Sequence, residues 1–253
     1  MKLNRFLPLF IPIAIYALDE IYFFYPKFIY VAAVLINLLI FFVVWQFCRA
    51  SQVDKRWWNY LILPAIMATS IMAYSVFLSS KLVIQLLFIL NLVFLYFYLR
   101  HIYYYLLNPS VYEVFSIENI SSYVGWLNFF LISATIYGLQ SFLNLPIFRL
   151  ALVILAATAL IVYQIIWVNK IEFKKGLPYI LISCLILVEL CWSISFLPFN
   201  YNISGLSLAI CFYVVVGLIK NHLLDKLDVT RVKMYLALGS ISLLLILFTA
   251  KWI

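Results

Sequence analysis

The run LPYILISCLILVELCWSISFL, residues 177–197, holds one charged residue, Glu189, in twenty-one positions. About 20 apolar residues in a helix cross a hydrocarbon core of about 30 Å. In lipid every backbone N–H and C=O must find its partner within the protein, which a helix achieves along its own length. Eight further apolar runs recur over residues 6–25, 28–48, 60–79, 82–99, 124–142, 147–168, 203–219 and 234–249. Together they predict an all-α, polytopic transmembrane helix bundle of about nine spans, a single integral membrane domain over residues 1–253. Barrel strands would instead alternate over about 10 residues.

Composition closes the water-soluble alternatives. Charged residues are 10% of the chain and hydrophobic ones 68%, whereas a soluble domain carries about 25% charge. The net charge of +8 would suggest nucleic acid in a soluble protein. Here the basic residues sit singly or in small groups between apolar runs, an arrangement that suits anionic lipid headgroups. The expected partners are membrane lipids and other membrane subunits, not nucleic acid.

Those cations also give a direction. With the N-terminus cytoplasmic and the C-terminus outside, thirteen of the seventeen Lys and Arg fall on the inner side and four on the outer, as the positive-inside rule requires. Were residues 6–25 not a span, Lys2 and Arg5 would join Lys27 outside and the division would become eleven to six. No small-residue cleavage site follows this first run, so it reads as a retained span in the cytoplasmic membrane. Trp57 and Trp58, beside Lys55 and Arg56, mark an inner interface.

Glu189 is the first candidate for function. A charge at mid-depth costs on the order of 3 kcal/mol, so it needs a partner or a proton. Asn37 and Asn91 fall near the middle of their runs, and the three side chains form the predicted substrate- or ion-binding set. Cys184 and Cys191 lie on about the opposite face of the helix from Glu189, which excludes a Glu/Cys pair. Asp19 and Glu20 stand in the outer third of the first run; they could line an outward cation entrance, but adjacent residues point about 100° apart and the pair reads better as reaching the interface. Asn221, His222, Asp225 and Asp228, interrupted by Lys226, read as a solvated loop.

Other chemistry has little material. There are two histidines and no HExxH, GxSxG or Walker A sequence, so no catalytic residue, metal site or cofactor is assigned. The four cysteines lack a CxxC and read as small apolar fillers. Ser110 and Glu113 have capping-box spacing, predicting a short surface helix with Val111, Val114 and Phe115 on one side. Ala134 with Gly138, and Gly205 with Ala209, have the small-residue spacing of close helix contacts.

These observations predict a non-catalytic, membrane-embedded structural or complex subunit. The alternative is a small transporter or channel with its site at Glu189, and the third reading is a membrane enzyme acting on lipid. The topology is tested by labelling single cysteines placed at Lys55 and Lys174 in intact cells. Both should be protected from an impermeant reagent, and labelling of one but not the other would contradict the orientation.

Overall fold

A computed structural model describes residues 5–51, 57–112 and 116–250. Every regular element among them is helical. The helices are α1 (Leu7–Phe24), α2 (Ile29–Ser51), α3 (Asn59–Ser75), α4 (Lys81–Leu107), α5 (Ser116–Leu143), α6 (Ile147–Val168), α7 (Phe173–Ile194), α8 (Tyr201–Leu223) and α9 (Val229–Thr249). Eight are long and apolar enough to cross a membrane. The exception, α3, has 17 residues and contains Pro64.

The chain divides into two compact units, residues 1–121 and 122–253. In the first, the 3₁₀ turn Pro26–Phe28 joins α1 to α2, because proline supplies no N–H to extend α1. Each helix turns one stripe inward. On α1 it is Pro8, Ile11, Pro12, Ile15, Asp19 and Tyr22, and α4 contributes Ile84, Phe88, Asn91, Leu95, Tyr98 and Ile102 among its buried residues. Both follow the three-and-four spacing of a helix face, and both carry a polar residue into the core.

Pro64 shows how the unit compensates for an irregularity. A proline cannot donate to the carbonyl four residues back, which here belongs to Tyr60. The buried Tyr98 hydroxyl of α4 donates to that carbonyl at 3.0 Å. The sequence that weakens α3 therefore ties it to α4.

The fourth helix continues past Arg100, as the tyrosines after it suggest. Arg100 lies over the rings of Tyr96 and Tyr104, 5.7 and 5.5 Å from their centroids, and donates to the Tyr96 hydroxyl at 2.8 Å. These aromatic partners hold the cation against the helix. Asn108 and Pro109 end the helix, and a 3₁₀ turn covers Pro109–Val111. The capping residue Glu113, with Val114 and Phe115, lies outside the described residues, as do Lys2, Lys55 and Arg56. Burial pushes the Tyr112 hydroxyl up to about 12. The polar stretch before Tyr123 forms the first turns of α5, which therefore begins ahead of the apolar run at 124–142.

In the second unit, three helix ends pass through left-handed residues, Asn144, Lys170 and Asp225, with φ of 51°, 59° and 54°. Asn and Asp tolerate this region better than most residues. Gly205 of α8 lies against the α5 backbone, where an added Cβ would come 2.6 Å from the Ala134 nitrogen. The small residues at 134 and 205 thus allow a helix contact that larger ones would prevent. Along the same pair, Phe129 and Phe212 stack at 4.2 Å, and Trp126 donates to the Ala209 carbonyl at 3.0 Å. By contrast, α9 buries only Gly239.

The Tyr98 bridge carries a two-part prediction. Tyr98→Phe strands a buried carbonyl and should cost about 1–3 kcal/mol in detergent unfolding. In a Pro64→Ala background residue 64 regains an N–H for that carbonyl, and the cost should fall by at least half. An equal cost in both backgrounds would contradict the account.

Candidate functional site

The polar centre of the first unit is built on α1 and α4. Asp19 is fully buried and Asn91 is 1% exposed. The Asn91 side-chain amide donates from Nδ2 to Asp19 Oδ2 at 3.1 Å. Asp19 Oδ1 and Asn91 Oδ1, the other oxygens of the two groups, have no partner. Glu20, half-buried on the next position, accepts from Gln85 Nε2 at 3.1 Å, and Gln85 Oε1 accepts from the Tyr16 hydroxyl at 3.2 Å. Two carboxyl groups are therefore each held by an amide of α4.

A second bond and an aromatic cluster flank the pair. The Ser75 hydroxyl donates to the Met72 carbonyl at 2.8 Å, leaving its oxygen to accept from Tyr22 at 3.1 Å. The Phe88 ring stands edge-on to Tyr22 and Phe23, with centroids 5.4 and 6.3 Å away. Among the described residues the one ion pair is the exposed Lys175–Glu172 contact at 3.8 Å. Asp19 and Glu20 thus sit in a membrane-type helix pair with amide and hydroxyl partners but no cation.

Of the predicted set, Asn91 belongs to this centre. Asn37, half-buried on α2, donates to the Ala33 carbonyl of its own helix at 2.9 Å. It edges an apolar groove of about 460 Å³ with Ala33, Phe41, Leu61 and Ala65. Glu189 belongs to the second unit and is exposed. Its helix buries Ser183, Cys184, Leu187 and Cys191, and 100° per residue turns Glu189 away from them. The nearby Ser193 hydroxyl donates to the Glu189 backbone carbonyl at 2.9 Å, not to its carboxyl.

Asp19 was the residue that sequence reasoning undervalued. Its expected route to the interface does not exist in this fold, because it occupies the buried stripe of α1. The available signal was its spacing of four from Ile15 and seven from Pro12, which puts all three on one face.

The acidic run near residue 225 has structural work. Asp228 caps α9 by accepting from the Arg231 backbone N–H at 2.6 Å. Arg231 in turn donates to Asn221 Oδ1 at 3.0 Å, joining the ends of α8 and α9. His222 lies against the Tyr179 ring at 5.5 Å. Among the described residues, no three His, Cys, Asp or Glu side chains are grouped to hold a metal.

The second unit has polar features of its own. Asn128 on α5 and Gln164 on α6 are fully buried, and neither amide makes a hydrogen bond. Each stands one turn from the contact that Gly125 makes with Ile161. At the end where α5 and α7 finish and α6 and α8 begin, Tyr137, Gln140, Asn144, Ser195 and Ser204 line a cavity of about 390 Å³.

Eight helices suited to crossing a membrane, with an acidic pair held inside one unit, define a membrane-embedded helical protein. The chain belongs to a family of proteins of unknown function, DUF5656, whose model matches residues 13–249. No curated protein and no solved structure matches it.

The Asp19–Asn91 bond should appear as an energetic coupling. Asn91→Leu removes the donor from a buried carboxyl and should cost about 1–3 kcal/mol. Asp19→Leu with Asn91→Leu should cost less than the two single changes added together, and strict additivity in a double-mutant cycle would contradict the pairing.

Proposed function

We propose that the protein is a membrane-embedded subunit of a larger assembly, without chemistry of its own. It is one integral domain of the cytoplasmic membrane, N-terminus inside and C-terminus outside. In this reading α3, extended by the turn that follows it, makes a ninth crossing.

The observation that carries this reading is the exposure of Glu189. With Lys174 and Lys175 in the headgroups, the apolar part of α7 begins at Gly176, and Glu189 lies about 20 Å further along the helix. That is about two-thirds of the way across a core of about 30 Å. A carboxyl facing lipid there is expensive, and intramembrane charges normally face a helix partner or a wet cavity. The described Lys, Arg and His residues lie in turns or toward helix ends. A second copy would therefore bring another acid to the contact and no mid-depth cation. Charge complementarity favours a different membrane chain, one presenting a donor or a cation at the depth of Glu189. The nearly uncovered α9 leaves further apolar surface for such contacts.

A small transporter is the second reading. Its support is the acidic pair on α1, so its site would be Asp19 with Asn91 in place of a convergence on Glu189.

Extraction from the native membrane in mild detergent separates the two. The subunit reading predicts a wild-type particle larger than the 29.6 kDa chain with its detergent, and release of the single chain by Glu189→Leu. A wild-type protein that is monomeric at every stage would contradict it.

A further inference from the structure

We propose that Asp19 is a proton-binding site, held in its acid form by a ring of two hydrogen bonds with Asn91. The inference stands independently of whether the chain is a subunit or a transporter.

One half of the ring is present, since Asn91 Nδ2 donates to Asp19 Oδ2 at 3.1 Å. The atoms left over are Asp19 Oδ1 and Asn91 Oδ1, both buried and unpartnered. Two acceptors cannot satisfy one another. A carboxylic acid facing a primary amide, however, has complementary edges: the amide N–H meets the acid carbonyl, and the acid O–H meets the amide carbonyl. A single proton on Asp19 Oδ1 turns that oxygen into a donor toward Asn91 Oδ1 and closes the ring. One proton, taken from water, satisfies both orphaned atoms at once. Ionised, the same pair leaves a negative charge and two unmet oxygens in the interior, where each unmet group costs about 1–3 kcal/mol.

Among the described residues, the surroundings supply no competing cation. On α1 the titratable neighbours are Glu20, Tyr16 and Tyr22. From α4 come the neutral amides Asn91 and Gln85, and Lys81 at its first turn is exposed. The end of α3 offers Tyr74 and Ser75, of which Ser75 bonds Tyr22. On α2 Tyr30 is exposed, and Cys48 and Arg49 lie at the far end of the helix; Lys27 in the preceding turn is exposed.

Glu20 stands next to the site on α1. It is half-buried and joined through Gln85 to Tyr16, so the fully buried acid has a partly accessible acid beside it in the sequence.

The test uses infrared spectroscopy on the full chain in phosphatidylcholine–phosphatidylglycerol vesicles, with and without aspartate carrying ¹³C in its side-chain carboxyl. The chain has four aspartates. Asp225 and Asp228 are exposed, and Asp54 falls in the polar stretch between the second and third apolar runs. At neutral pH the wild type should show a protonated-carboxyl C=O band that moves with the aspartate label and shifts in deuterated water. Glu20→Gln and Glu189→Gln should keep that band, whereas Asp19→Asn should lose it. The label assigns the band in the wild type even if Asp19→Asn does not fold. Absence of a label-sensitive protonated band at neutral pH would overturn the proposal. So would its loss on adding sodium at fixed pH, which would make the site one for a metal cation.

Discussion

Lipid offers no hydrogen bonds, and this restriction governs most of the polar detail in the molecule. The carbonyl released by Pro64 is met by the Tyr98 hydroxyl, and Asp19 receives the amide of Asn91. In the second unit the Tyr137 hydroxyl reaches the Cys191 carbonyl at 2.9 Å, while Trp126 donates to Ala209. Each is a polar bond between helices surrounded by apolar packing. Such bonds are worth about 0.6 kcal/mol on average in a membrane bundle, so their main effect is to select one register among similar apolar contacts.

Two acids in apolar helices meet this restriction in opposite ways. Asp19 is on the inner stripe of α1, where a neighbouring helix supplies an amide. Glu189 is exposed on α7, turned away from that helix's buried face. An acid turned inward is met by the chain itself, here by the side-chain amide of Asn91. An acid turned outward is left at the surface of its unit. The proposed subunit contact at Glu189 and the proposed proton site at Asp19 both start from this contrast.

The helices were legible because apolar runs and basic turns mark them directly, and Asn108–Pro109 follows the end of α4. Which face of each helix points inward was much harder to read. In a soluble protein the apolar stripe identifies the core, but in these helices the lipid-facing side is apolar as well: α1 exposes Leu9, Phe10, Ile13 and Ile21. Depth therefore drew attention to Glu189, while burial belonged to Asp19. The opposition of Glu189 to Cys184 and Cys191 was available from helical geometry, and those cysteines are on the buried face. Asn91 was identifiable as a polar residue inside an apolar run, though its partner was not, because no local pattern relates residue 91 to residue 19. The contact of Gly205 with Ala134 was readable as spacing on each helix, but not as a pairing between them.

The central claim is that α1 turns Asp19 away from both lipid and water. A nitroxide scan along α1 in lipid nanodiscs tests it directly, using oxygen to report lipid and a soluble nickel chelate to report water. Labels at Phe10, Ile13 and Ile21 should be relaxed strongly by oxygen, while labels at Ile15, Asp19 and Tyr22 should respond weakly to both reagents. Strong relaxation by the nickel chelate at position 19, or an oxygen profile without helical period, would contradict the account.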